Sequence, residues 1–186
     1  MAEFYLRHRF SEDLDFFSEE EIGSQTIFTF LKSIQKLAGI EKIDAQQSFN
    51  RNLFFLHLQD GDVIKTEFTY FPFLRIEKKN KIGNLFIDSL FDIAVNKIFT
   101  IYQKPRSRDF IDLYLILQTK KWEIDDLVKK AKIKFDWHID LLQLASQFLQ
   151  AKEVKDYPTM IEKLKPAVWQ NFFEEEAKKL KEQIVK

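Results

Sequence analysis

Apolar positions along the chain follow two different periods, and the switches between them outline the elements. Between Asp13 and Phe17 the pattern alternates, with Leu14 and Phe16 on one side and Asp13 and Asp15 on the other. Period-two alternation predicts a strand whose two aspartates share a face. Between Gln25 and Leu37 the apolar residues Ile27, Phe30, Leu31 and Ile34 recur at helical spacing, which predicts an amphipathic helix. Phe4, Tyr5 and His8 give residues 1–9 the same helical reading. Two β-rich runs, LFFLHLQ and DVIKTEFTYF, flank Asp60-Gly61. That dipeptide between alternating runs is a hairpin signal, and the second arm carries Glu67. A short strand is expected at Arg75 to Glu77, then a turn over KKNKIGN, then LFID.

Ser89-Leu90-Phe91-Asp92 has the spacing of a capping box and opens a helix running to about Gln103, before Pro105. A second helix is expected over Arg108 to Thr119, and further helices over 124–134, 136–152, 158–164 and 167–185. Strands mixed with helices come first and helices alone follow, so the fold class is α+β with a helical carboxyl-terminal region. The expected division is an α/β core over 1–88 and a helical region over 89–186. The last helix carries Trp169, Phe172 and Phe173 near its start, a packing pattern rather than a recognition pattern.

Composition narrows the function. The 186 residues hold 45% apolar side chains, 20 of them Phe, which is ample for a core. Formal net charge is zero, so there is no global basic field, and a nucleic-acid partner needs a local patch. Cysteine is absent, which excludes disulfides, thiol nucleophiles and cysteine-ligated zinc. Four glycines and four prolines argue against a glycine-rich phosphate loop. No apolar run approaches the roughly 18 residues of a membrane span, and the charged amino terminus is not a signal peptide. The expectation is a cytoplasmic protein with no membrane partner.

Two constellations carry candidate chemistry. Asp13 and Asp15, with Glu67 from a neighbouring strand, form the kind of oxygen donor set that holds Mg2+ or Mn2+ beside phosphates. Taken alone, D-x-D reads more simply as the solvated face of an edge strand. Lys97 lies on the helix before Asp109 and Asp112, which are three apart and share a face. A lysine there can neutralise a triphosphate, while the plainer reading is an interhelical ion pair. His8, His57 and His138 have no metal-ligand spacing, and the lysines of 78–81 and 129–134 read as solvated.

Together these segments have a recognisable order. RFSEDLDFFS (9–18) resembles the R-x-S-x-D-h-D motif of the AbiEii/AbiGii-type nucleotidyltransferase toxins, where h is apolar. FDIAVNKIFTIYQKPRSRDFIDLYLIL (91–117) resembles the later block of that family, with Lys104 where arginine is commoner. The resemblance implies a polymerase-β-like nucleotidyltransferase fold with a short mixed sheet. It implies Asp13, Asp15 and Glu67 as catalytic, metal-binding acids. It also implies Arg9, Ser11, Lys97, Arg108, Asp109 and Asp112 as nucleotide-binding residues.

The implied reaction transfers a nucleoside monophosphate from a nucleoside triphosphate to a hydroxyl of RNA, such as tRNA, or of a protein, with pyrophosphate released. The implied cofactor is Mg2+ or Mn2+, and the implied partner is a cognate antitoxin. The family pattern opens with a Gly-Gly-Thr or Gly-Ser turn about a dozen residues before the arginine. Only eight residues precede Arg9 here, so the expectation is either a misplaced start or a truncated copy that lacks the turn. The alternative is a noncatalytic module that keeps the fold and acts through a partner protein.

Overall fold

The computed structural model describes residues 2–184, and the chain divides into two compact units. One comprises residues 11–74, and the other residues 1–10 with 75–186.

The 11–74 unit is a four-stranded sheet with one helix. Its strands are β1 (Asp13–Ser18), β2 (Ile40–Ser48), β3 (Arg51–Leu58) and β4 (Val63–Tyr70), and its helix is α1 (Ser24–Ile34). The spatial order is β1-β4-β3-β2. β1 runs parallel to β4, and the other pairs are antiparallel, so the sheet is mixed as expected. One face carries Phe54 and Leu56 of β3 and Ile40 of β2, packed on Ile27 and Leu31 of α1. Phe68, Ile64 and Ile43 extend this core. Register then places Asp13 and Asp15, Lys65 and Glu67, and Leu53 and Phe55 on the opposite face.

The turn at Asp60-Gly61 forms as read. Gly61 takes φ +93°, which side-chain-bearing residues rarely adopt, and the Asp60 carboxylate accepts the Asp62 amide at 3.1 Å. β2 is an element that the apolar pattern did not reveal. Its pairing with β3 shifts register between Ile40 and Lys42. That bulge inserts one residue, so Ile40 and Ile43 both face the core although three positions separate them.

The other unit begins with a π-helical turn over Ala2–Leu6 instead of a longer helix. Arg75 to Glu77 is not a strand. The ladder forms instead between β5 (Asn80–Ile82), inside the segment expected to be a turn, and β6 (Leu85–Ile87), in the LFID run after it. Gly83, at φ +60°, makes the reversal.

α2 (Leu90–Gln103) starts at Ser89, whose side chain accepts the Asp92 amide at 2.9 Å. α3 (Ser107–Lys120), α4 (Ile124–Phe135), α5 (Leu141–Leu149) and α6 (Pro166–Ile184) follow. Their core is built on Val95, Ile98, Leu113, Leu127, Leu144 and Phe173, all at most 0% exposed. Phe173 packs on Phe110 and Phe148, and Trp169 is buried beside them, so the start of α6 is a packed face.

Two helical expectations are corrected here. Residues 136–140 are not helical, because α5 starts late, at Leu141, capped by Asp140, whose carboxylate accepts the Gln143 amide at 2.8 Å. Residues 158–164 are not helical, and Met160 forms an isolated antiparallel bridge with Arg9. The Phe10 amide donates to the Thr159 carbonyl at 2.9 Å, and the Ile161 and Glu162 amides both donate to His8 O. Those partners lie about 150 residues away in sequence, so local periodicity could not show them.

Candidate active site

The acids of the D-x-D motif stand on the face of the 11–74 sheet opposite α1. Asp15 registers with Glu67 across the parallel β1–β4 pair, and Asp13 registers with Lys65. The Lys65 ammonium lies 3.1 Å from Asp13 Oδ2 and 4.0 Å from Glu67 Oε2. Glu67 also accepts from the Thr69 hydroxyl at 3.0 Å and sits 3.5 Å from an Arg51 nitrogen. Three carboxylates therefore share one face of two adjacent strands, as the alternation implied, and a cation already rests between two of them.

Among the described residues no three acidic or histidine side chains converge into an ion-binding cluster. The donors fit Mg2+ in chemical kind and in facing, and the lysine ammonium stands where positive charge is accommodated. Lys65 was not singled out from the sequence. Its spacing of two from Glu67 on a predicted strand was the available signal. Ser11 is exposed, and its hydroxyl donates to the Asp13 carbonyl at 3.3 Å.

The second constellation is built within the other unit and is buried. Asp112 is 0% exposed, and Arg9 grips it in a fork, Nε to Oδ1 at 2.8 Å and a terminal nitrogen to Oδ2 at 2.9 Å. His8 Nε2 lies 2.8 Å from the same Oδ1, and Lys97 Nζ lies 2.8 Å from Oδ2. Lys97 also reaches Asp109 Oδ1 at 2.6 Å, and Arg106 Nε donates to Asp109 Oδ2 at 2.8 Å.

The interhelical ion pair is thus present, as one junction in a larger network. Burial works against the charged form of Asp112. Lys97, Arg9 and His8 outweigh it and hold the carboxyl well below the ordinary carboxylate range. Asp109 and Asp112 face these cations, whereas the Lys97 and Arg9 side chains keep 18% and 12% of their surface exposed. Arg108 lies half-buried on α3.

His8 and Arg106 were missed as members. Arg106 stood three residues before Asp109, a readable helical pairing, but nothing local to His8 announced its contact with α3.

A third buried acid is structural. Asp92 accepts the Ile76 and Glu77 amides, each at 2.9 Å, and Lys134 Nζ at 2.7 Å. Its burial opposes ionisation, yet those amides and the lysine hold its pKa below the usual value.

With this geometry described, likeness to known proteins can be placed beside it. The chain is 28% identical over 179 residues to the uncharacterised protein aq_aa25 of Aquifex aeolicus, covering 95% of this chain and 81% of that one. Its fold is similar to a solved Helicobacter pylori protein described as a candidate nucleotidyltransferase. That likeness has a TM-score of 0.63 and 19% identity, with 98% of this chain and 83% of that one covered. It is also similar to JHP933 from Helicobacter pylori, with a TM-score of 0.54, 17% identity, and 97% and 82% covered. The family model for the nucleotidyl transferase AbiEii toxin of type IV toxin–antitoxin systems matches residues 1–182. The chain belongs to the AbiEii nucleotidyltransferase toxin family.

Proposed function

We propose that this protein is a metal-dependent nucleotidyltransferase that moves a nucleoside monophosphate from a nucleoside triphosphate to a hydroxyl of RNA or protein. The observation that carries this reading is the placement of Asp13, Asp15 and Glu67 on one face of β1 and β4. A bound divalent ion would polarise the triphosphate and neutralise the charge that develops as pyrophosphate leaves.

The chain's own share is orientation. A strand pair fixes the three carboxylates, and Lys65 keeps Asp13 and Glu67 from repelling each other. In the helical unit, Lys97 and Arg9 are the cations suited to phosphate, and Asp109 and Asp112 act through them by fixing their positions. Ser11 and Arg108 complete the proposed nucleotide-binding set. Family membership makes an antitoxin the expected protein partner.

The test is transfer of label from α-labelled nucleoside triphosphates to total RNA and to protein, with Mg2+ or Mn2+. Asp15→Ala abolishes transfer on this reading, and unchanged transfer by that variant rejects it. The ammonium seated among the acids favours one rival, a noncatalytic fold acting through its partner. Under the rival, wild type transfers nothing to any acceptor with either metal.

A further inference from the structure

We propose that Lys65 is an exchangeable internal counter-ion of the acid face: its ammonium competes with the divalent ion for Asp13 and passes to the triphosphate once that ion binds. This rests on the metal-dependent reading above and adds to it the residue that couples metal to nucleotide.

Register puts the lysine there. β1 and β4 run parallel, so Asp13 stands opposite Lys65 and Asp15 opposite Glu67, all on one face. Like charges directly opposite each other destabilise a strand pair, and unlike charges stabilise it. The Lys65 ammonium serves both rows, 3.1 Å from Asp13 Oδ2 and 4.0 Å from Glu67 Oε2. On its other flank, β3 sets Phe55 opposite Lys65 and Leu53 opposite Glu67. Those neighbours offer the ammonium no charge, which steers it to the acids. Glu67 does not depend on it for placement. The Thr69 hydroxyl donates to Glu67 at 3.0 Å, and an Arg51 nitrogen lies 3.5 Å away. Lys65 is thus a cation that the face can release while Glu67 stays in place.

Charge and reach drive the exchange. Mg2+ takes carboxylate oxygens at about 2.0–2.1 Å, so an ion on Asp13 comes within roughly 5 Å of an ammonium on the same carboxylate. At that separation a unit charge opposes a divalent one by on the order of tenfold in affinity even in bulk water, and by more in a half-buried site. Lys65 keeps 32% of its side-chain surface exposed, which leaves its head room to swing away from Asp13. Its flexible stem stays on the strand face meanwhile. A triphosphate that arrives with the ion brings the anionic oxygens the ammonium then needs. Metal alone must displace the lysine without compensation. Metal with nucleotide gives it a new partner.

The experiment titrates the full chain with Mn2+ alone, by calorimetry and by electron paramagnetic resonance of the free ion. It then titrates the chain with α,β-methylene-ATP in saturating Mn2+. Lys65→Met removes the charge, and Lys65→Arg keeps it. Lys36→Met removes a charge from an exposed position just past α1. Each variant is checked for native circular dichroism. Lys65→Met binds Mn2+ about 5- to 30-fold more tightly. It binds the analogue about 10-fold or more weakly, because the ammonium–phosphate contact is lost. Lys65→Arg and Lys36→Met bind Mn2+ as wild type does. Shifts of opposite sign separate exchange from a damaged fold, which weakens both ligands. An Mn2+ affinity unchanged or weaker in Lys65→Met, or an analogue affinity that does not fall, overturns the proposal. Equal tightening by Lys36→Met overturns it too, since general charge then accounts for the gain.

Transfer assays keep this claim apart from the catalytic one. Transfer by wild type, with the same Mn2+ affinity in wild type and Lys65→Met, removes the exchange alone. Both shifts in chains that transfer nothing remove the catalytic reading and leave the exchange. No Mn2+ binding by any of these proteins removes both.

Discussion

Replacing Asp112 by asparagine tests whether the buried network is structural ballast for the cations it holds. The substitution keeps the shape of the side chain and removes its charge. Arg9 loses a two-pronged ionic grip at 2.8 and 2.9 Å, and Lys97 loses one of its two carboxylates. An asparagine amide group also turns a donor toward Arg9 or Lys97, which are donors themselves. Breaking a buried pair by removing one partner costs about 3–5 kcal/mol. All the groups involved are mostly buried, so solvent screening reduces this little.

Against a total of about 5–15 kcal/mol, this is a large fraction. With a urea slope of about 2 kcal/mol per M, the midpoint falls by about 1.5–2.5 M. The pH dependence gives a second reading. The native pKa of Asp112 lies far below its ordinary value of 3.8, so the unfolded chain binds more protons in that window. The stabilisation is fully present above about pH 3.8 and is lost as pH falls through the native pKa. The gap between wild type and Asp112→Asn should therefore be constant near neutrality and shrink in acid. Urea unfolding followed by circular dichroism at pH 7 and pH 3 measures both. A neutral-pH loss under about 1 kcal/mol, or a gap that does not narrow in acid, refutes the argument.

Three further outcomes are expected. Asp92→Ala should cost about 3–5 kcal/mol in urea unfolding, because Lys134 loses this carboxylate and the Ile76 and Glu77 amides lose their acceptor. Phe54→Ala should cost about 3–5 kcal/mol, since Phe54 is 1% exposed at the centre of the 11–74 core. Hydrogen exchange should place that loss in β3 and β4. Asp156→Ala should cost about 1 kcal/mol, because its carboxylate accepts the Ser107 amide at 2.9 Å and so caps α3 from 49 residues away. A thermal scan indistinguishable from wild type would contradict that last assignment.

How far these features could be read from the residues depended on where their partners lay. β1, the Asp60-Gly61 hairpin and the Ser89 cap depend on neighbours within a few positions, and all three are present as expected. β2 hid behind its bulge, because a three-residue spacing of Ile40 and Ile43 imitates a helix. The extended segment at 158–164 depends on residues 8–10, so its helical appearance had no local counterweight.

The acids show the same rule at the level of chemistry. Asp13, Asp15, Asp92, Asp109 and Asp112 all sit beside apolar neighbours in the sequence, and nothing in that setting separates them. In the fold, Asp15 is exposed on a sheet face, while Asp92, Asp109 and Asp112 are buried. The buried three each take donors from distant elements: Lys134 for Asp92, Lys97 for Asp109, and Arg9 and His8 for Asp112. A carboxylate with that many internal donors is spent on holding cations or backbone in place. A carboxylate on a strand face, paired with a lysine at ordinary salt-bridge distance, can exchange that partner for another cation. On the proposed function, Asp13, Asp15 and Glu67 are therefore the acids that would take the metal ion. On the same proposal, Asp109 and Asp112 act through the lysine and arginines they hold.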